Sequence, residues 1–274
     1  MLYVVATPIG NLSDLSLRAV DTLKSADYIL CEDTRHSSIL LNHFGIKKQL
    51  KSYHKFNELS KQDEIIEDLK NGRSIALISD AGTPGISDPG ELLIRCCIDN
   101  NIKVVPIPGA SAVLSAISCS GLDTSRFQFI GFLPKKAGEL KRSLGEALQY
   151  PGTTICYESP NRLGDVLEMI HTLDPARLLV IARELTKLHE EFLRGNASEL
   201  IQSWKNSLQK GEIVLMISKC PEETASGWEQ LTPEEHVLQI QTVYGATRQE
   251  AILICAKIRG VSKRDIYNIV HKSA

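Results

Sequence analysis

The sequence predicts an α/β protein of two domains with a small helical appendage at its C-terminal end. Three observations lead there. Short apolar runs alternate with helical patterns, the signature of strand–helix units around a mostly parallel sheet. A length of 274 residues fits about two domains at roughly 150 residues each. Near the C-terminal end, two capping boxes, Thr247-x-x-Glu250 and Ser262-x-x-Asp265, begin helices on either side of Gly260, a helix-turn-helix pattern.

Tyr3–Ala6 is a β-branched run, broken by Thr7-Pro8-Ile9-Gly10. Ser13 is placed to cap a helix with apolar Leu17, Val20 and Leu23. Tyr28–Cys31 reads as a strand, Thr34 to Phe44 as a helix closed by Gly45, and Glu58 to Lys70 as a helix closed by Asn71-Gly72. Ser74–Ser79 has the apolar run of a buried parallel strand. After it, Asp88 reads as an N-cap, with Pro89 at the first helical position and Glu91 completing a capping box. Lys103–Ile107 is a strand, followed by a small-residue helix ending at Gly121. The second set comprises strands at Phe127–Phe132, Thr153–Tyr157, Leu178–Ala182, Glu191–Arg194 and Ile213–Ser218. Its helices are Gly138–Gln149, the stretch from Ser159-Pro160 to His171, and Ala197–Leu208. The expected domains are 1–118, 119–220 and a basic tail at 231–274. Residues 221–235, with Glu222, Glu223, Glu229, Glu234 and Glu235, read as an acidic linker.

Hydrophobic residues make up 43% and charged residues 23%, a globular balance that argues against long disorder. The net charge of −2 argues against a generic polyanion coat, although a local basic face suffices for nucleic acid. From Gln241 to Ala274 six Lys or Arg stand against two acids. The seven cysteines form no C-x-x-C pair and lie mostly in apolar runs, so we expect buried thiols in a reducing, cytoplasmic setting and no metal site. No signal peptide or membrane span is expected.

The dinucleotide fingerprint, the P-loop, the nucleophile elbow and H-E-x-x-H are missing. What remains is three loops of Gly, Pro and small polar residues, at 7–13, 80–90 and 108–112, each between a strand and a helix. In parallel sheets such loops line the crevice where ligands bind. Any one of them is also what an ordinary turn requires; the coincidence of three points to a ligand.

The order Leu2-Tyr3-Val4-Val5-Ala6-Thr7-Pro8-Ile9-Gly10-Asn11-Leu12, Glu32-Asp33-Thr34-Arg35-His36 and Ser79-Asp80-Ala81-Gly82-Thr83-Pro84 continues with Pro108-Gly109-Ala110-Ser111-Ala112, Gly131-Phe132-Leu133-Pro134, Tyr157-Glu158-Ser159 and Ala182-Arg183-Glu184-Leu185-Thr186-Lys187. In this spacing the chain resembles the tetrapyrrole-methylase-like superfamily of S-adenosylmethionine (SAM) methyltransferases, the class III fold. Within it, the chain is similar to the branch that methylates the ribose 2′-oxygen of a cytidine in small-subunit ribosomal RNA. The resemblance runs from about residue 2 to 218, and the tail is also similar.

The resemblance implies two α/β domains with SAM in the cleft between them, a homodimer, and ribosomal RNA, within the ribosomal subunit, as partner. The cofactor contacts it carries over are Pro8, Asp80, Ala81, Gly82, Thr83, Ile86, Ser111, Ala112, Tyr157 and Ala182. The branch commonly reads Tyr-His-x-His-Asn-Glu where this chain has Tyr53-His54-Lys55-Phe56-Asn57-Glu58, so no role for two histidines fits here.

Transfer to a ribose hydroxyl, a very weak acid, calls for a group that accepts or screens its proton. Asp33, Arg35 and Glu158 are the catalytic candidates, and His54, Arg183 and Lys187 the substrate-binding ones, the cations holding phosphates. Each has a plainer reading: Asp33 as a helix cap, Glu158 and Arg183 as a cross-strand pair, His54 as a solvated loop residue. Lys135, Lys136, Lys141 and Arg142 fit either a solvated face or phosphate contacts. Two other functions stay open. One is a tetrapyrrole C-methyltransferase. The other is a DNA-binding regulator acting through residues 247–272, with Lys263 and Arg264 near the start of its recognition helix.

Overall fold

In the computed structural model, β1 (Leu2–Val5) lies between β4 (Ile75–Leu77) and β5 (Val104–Ile107) in a parallel sheet. With β2 (Tyr28–Cys31) and β3 (Gln49–Ser52) the order is β3-β2-β4-β1-β5. The structure describes residues 1–205, 210–220, 228 and 231–272. Glu222, Glu223 and Glu229 of the acidic segment, and the predicted helical residues 206–208, lie outside them.

Residues along a strand alternate between faces, which gives this sheet two cores. On one face Val5, Ile29 and Ile78 meet Leu23 of α1 (Leu17–Ser25) and Leu40 and Leu41 of α2 (Thr34–His43). On the other, Leu2, Leu30, Ile75 and Leu77 meet Ile65 and Leu69 of α3 (Glu58–Lys70) and Leu93 of α4 (Glu91–Asp99). The connection leaving β4 therefore goes to the opposite face from those leaving its neighbours β1 and β2. Such a switch opens the carboxyl ends of the strands to a ligand.

The chain divides into two units, one of residues 1–115 with Leu185–Leu188, the other of residues 116–184 with 189–274. The division falls within α5 (Ala112–Ser120), and nothing in the sequence signals that 185–188 belongs with the first unit. The second unit carries β6 (Phe127–Phe132), β7 (Thr153–Glu158), β8 (Leu179–Arg183), β9 (Glu191–Gly195) and β10 (Ile213–Ile217) in the order β6-β7-β10-β8-β9. This sheet is mixed. β6 and β7 are parallel, whereas β10 runs antiparallel to β7 and β8, and β9 antiparallel to β8. No helix separates β8 from β9, so they return on one another, and β10 enters between β7 and β8.

The helices α6 (Ala137–Gln149), α7 (Pro160–Leu173) and α8 (Ala197–Lys205) share this unit's core with three C-terminal helices. These are α9 (Pro233–Tyr244), α10 (Arg248–Arg259) and α11 (Lys263–Lys272). Both predicted boxes form: Thr247 and Glu250 cap each other's backbone, and the Asp265 N–H donates to Ser262 Oγ. A third box, Thr232 with Glu235, starts α9 within the segment read as linker. Val237, Ile240, Ile252, Ile254 and Ile266 are all buried in the shared core, each contributing about 1.5–3 kcal/mol of burial.

Two caps differ from expectation. Ser16, not Ser13, caps α1, its Oγ accepting the Ala19 N–H at 3.1 Å, while Asn11 caps a short 3₁₀ turn at Leu12–Asp14. Gly90, not Asp88, is the N-cap of α4, and Glu58 from α3 accepts the Gly90 N–H at 3.0 Å. The carboxylate comes from a residue far away in sequence, which a local pattern does not reveal. The strand β3 was not anticipated, because Gln49-Leu50-Lys51-Ser52 is a polar edge strand without alternation.

Candidate active site

In the first unit the three small-residue loops are stitched together at the carboxyl ends of β4, β1 and β5. Thr7 and Gly82 exchange backbone hydrogen bonds at 2.8 and 3.1 Å. The Thr7 hydroxyl donates to the Ser79 carbonyl at 3.1 Å, and the Thr83 hydroxyl to the Ala110 carbonyl at 3.3 Å. These bonds tie Pro8, Asp80 to Thr83, Ser111 and Ala112 into one framework. Asp80, Ala81 and Ile86 are exposed, Thr83, Ser111 and Ala112 half-buried, and Pro8 and Gly82 buried. Gly82 adopts φ 78°, a backbone conformation that strains any side chain, so this turn calls for glycine.

The same edge gathers acids. The Glu32 carboxylate accepts the Asp80 N–H at 3.4 Å, and Asp80 accepts the Asp33 N–H at 3.3 Å. Asp88, removed from its expected capping role, joins them. Burial first, then the Glu32 and Asp80 charges, push its carboxyl up to about 7. Burial likewise raises Glu32, which the hydrogen bond from the Asp80 N–H partly offsets. His54 is held by Asn57, whose Oδ1 accepts the His54 N–H at 2.8 Å. Its Nδ1 is buried with no hydrogen-bond partner among the described residues. Phe56, which replaces the second histidine, is 95% exposed. Sequence reasoning passed over Glu32, although it opens a matched motif, and read Asp88 as a helix cap. Among the described residues, no group of three or more His, Cys, Asp or Glu is arranged to hold a metal.

Asp33 caps α2, accepting the Arg35 N–H at 2.8 Å, and pairs with the Arg35 guanidinium at 3.3 Å. The Arg35 hydrogen bonds hold the Asp33 carboxyl below the usual range, which makes it a poor proton acceptor. Arg35, 91% exposed at its side chain, presents its remaining donors outward.

The segment 185–188 meets the first loop. A Cβ on Gly10 would lie 2.5 Å from Lys187 Cγ and 2.9 Å from the Leu185 carbonyl, so only glycine permits this approach. Glu184 and Thr186 adopt left-handed backbone at φ 51° and 66°. For a β-branched threonine this is costly and concentrates at functional loops.

In the second unit Glu158 and Arg183 do not pair. Both stand opposite Ile213, with β10 between them. Arg183 instead meets Glu191 on β9 at 3.0 Å. Glu158 is buried, accepts the Ser159 N–H at 2.7 Å and lies 3.4 Å from Arg162. Burial raises its carboxyl, against the Ser159 bond and Arg162. Tyr157 is half-buried and Ala182 fully buried.

The tail's cations are partly spent inside the unit. Arg248 donates to the Val270 carbonyl, Lys257 pairs with Glu146 at 2.7 Å, and Arg259 donates to the Trp228 and Leu231 carbonyls. Lys263 and Arg264 remain exposed, a thin footprint for a DNA-reading helix. No described helix is long and apolar enough to cross a membrane.

Comparison with known proteins agrees with this geometry. The sequence profile of the tetrapyrrole (corrin/porphyrin) methylases matches residues 1–201. A protein of Halalkalibacterium halodurans named ribosomal RNA small subunit methyltransferase I is 47% identical over 274 residues, covering 99% of this chain and 94% of that one. The Bacillus subtilis protein of the same name is 43% identical, with 99% and 94% covered. The crystal structure of diphthine synthase superposes with a TM-score of 0.61 at 13% identity, covering 91% of this chain and 98% of that one, a likeness of fold. The chain therefore belongs to the tetrapyrrole methylases and, among them, to the ribosomal RNA small subunit methyltransferase I family.

Proposed function

We propose that this protein transfers the methyl group of SAM to the ribose 2′-hydroxyl of a cytidine in small-subunit ribosomal RNA, as a cytoplasmic homodimer acting on the ribosomal subunit. The observation that carries this reading is the 47% identity, along nearly the whole chain, to a relative named as a methyltransferase of small-subunit ribosomal RNA; the cytidine ribose as target comes from the motif resemblance. The geometry supports it. The framework of Thr7, Ser79, Gly82, Thr83 and Ala110 offers main-chain groups beside small side chains, the chemistry a nucleoside with an amino-acid tail needs. Pro8, Asp80, Ala81, Gly82, Thr83, Ile86, Ser111 and Ala112 of the first unit are its assigned contacts. Bound SAM supplies a methyl carbon made electrophilic by its sulfonium.

Transfer to a ribose oxygen would be a displacement at that carbon with S-adenosylhomocysteine as leaving group, so positioning by these residues would provide much of the acceleration. The hydroxyl proton leaves to a base. We assign this role to Asp88, which follows the 80–84 loop of the framework and shares its edge with Glu32 and Asp80; burial and those charges raise its carboxyl toward neutrality, which suits a proton acceptor. Arg35, held from behind by Asp33, binds a phosphate beside the target ribose, and His54, Arg183 and Lys187 bind the RNA around it. Glu158 acts in the second unit through Arg162.

Small ribosomal subunits lacking the methyl group, incubated with the protein and methyl-labelled SAM, should acquire label at one cytidine ribose. Calorimetry should find about one SAM site per chain, lost in a folded Ala112→Trp variant. Label entering a porphyrinogen but no RNA would overturn the reading.

A further inference from the structure

The motif Gly131-Phe132-Leu133-Pro134 has no part in the site described above, yet it presents an exposed aromatic ring beside a firmly anchored segment of the second unit. β6 is an edge strand, and its register against β7 slips by one residue between Phe129 and Phe132. In a regular strand two residues three apart face opposite sides. The bulge, made possible by Gly131 at φ 69°, reverses that parity. Phe129 and Phe132 consequently both set an edge against Tyr157, with centroids 4.8 and 5.4 Å from it. Phe132 nonetheless stays 63% exposed.

The chain immediately beyond is clamped. Arg162 on α7 donates to the Leu133 carbonyl at 3.2 Å and to the Pro134 carbonyl at 2.5 Å. Arg162 is in turn 3.4 Å from Glu158, whose side chain is 1% exposed. A buried carboxylate, a guanidinium and two carbonyls thus fix an outward-facing ring in place. An exposed phenylalanine offers the fold little, whereas a rigid ring in solvent is what an unpaired base stacks on. Lys135 and Lys136 follow directly and are exposed; their charge complements a phosphodiester backbone.

We propose that Phe132 is a stacking platform for an unpaired nucleobase of the RNA substrate, with Lys135 and Lys136 meeting the adjoining phosphates, and with Glu158 and Arg162 as positioning residues for the ring. The proposal rests on the RNA-methylating function given above and adds the contact by which a single-stranded segment is held.

The test uses the full-length protein and a fluorescent single-stranded fragment of unmodified small-subunit ribosomal RNA. Phe132→Ala should weaken RNA binding on the order of 5- to 150-fold, the range for one lost stack, while SAM affinity and the melting temperature stay unchanged. Phe132→Trp should restore binding. Phe132→Leu, which keeps apolar contact without a π face, should not. Abasic nucleotides placed singly along the fragment should reveal one position whose loss adds nothing to the Phe132→Ala defect. Lys135→Ala and Lys136→Ala should each lower the salt slope of binding by about one. Wild-type binding by Phe132→Leu would overturn the proposal. So would a change of mass by light scattering on Phe132→Ala, which would show the ring covered by a second copy of the chain. A wild-type protein that methylates no RNA would remove the functional reading itself, and that outcome is visible before any variant is made.

Discussion

Replacing Asp88 by Asn separates the two consequences of its position. In the folded protein its carboxyl is raised from 3.8 to about 7, by burial and then by Glu32 and Asp80. At about 1.4 kcal/mol per pH unit the ceiling on this effect is about 4 kcal/mol. The side chain is partly open to solvent, and screening reduces the expectation to about 1–2 kcal/mol. Between pH 3.8 and about 7 the native state holds a proton that the unfolded chain has released, so stability falls as pH rises through that window. Above it the native protein carries the full cost of an ionised Asp88. Asn carries no charge, so the variant should exceed wild type by about 1–2 kcal/mol at pH 8, and the gap should close toward pH 4. Urea denaturation at several pH values measures this directly. The same variant should lose roughly 10²–10⁴ in single-turnover methyl transfer, the range for a missing general base, while still binding SAM. A more stable and less active protein is the pattern expected of a residue strained for function. Parallel stability curves for both proteins across this pH range would refute the reasoning, because they would show that Asp88 ionises normally in the fold.

Other outcomes follow from the same geometry. Gly10→Ala should destabilise by about 1–3 kcal/mol in urea, since its Cβ would sit 2.5 Å from Lys187 Cγ and 2.9 Å from the Leu185 carbonyl; Gly138→Ala, with nothing within 4 Å, is the control. Arg35→Lys should keep the melting temperature and SAM affinity but lose about 1.5–3 kcal/mol of transfer, read from single-turnover rates, because an ammonium does not reproduce the planar fork. Asp33→Asn should leave the melting temperature unchanged, as Asn caps a helix equally well, and should lower the transfer rate less than Arg35→Lys does.

The sequence made the strand–helix alternation, the ligand-facing loops and the tail's capping boxes legible, because each is written in neighbouring residues. What escaped it depends on partners distant in the chain. Asp88-Pro89-x-Glu91 satisfies the local grammar of a helix start, yet Glu58 from α3 reaches Gly90 first and frees Asp88 for the acidic edge. Glu158 and Arg183 directly follow consecutive predicted strands and look like a pair, but strand order is not a local property, and β10 separates them. Asp33 was legible both as a cap and as a catalytic acid; only its bond to Arg35, which holds the carboxyl down, favours the first role. Arg162 carried no motif signal of its own, since its importance lies in two carbonyls nearly thirty residues earlier.

The contact of Gly10 with Leu185–Lys187 also bears on how the protein is made. The first unit takes in residues 185–188, so its earliest loop is completed by a segment synthesised long after its own sheet. During translation the parallel sheet emerges whole by Ile107, but the ground under Gly10 is missing until much of the second unit has followed it. Domains generally fold as they emerge; this one must wait, half-finished at the very loop that carries Pro8. A fragment ending at residue 115 would reproduce the strands and leave that loop unsupported, and supplying the missing segment on a separate chain would have to overcome the entropy of bringing two molecules together. The two halves are thus not modules that recombination can exchange by a single cut.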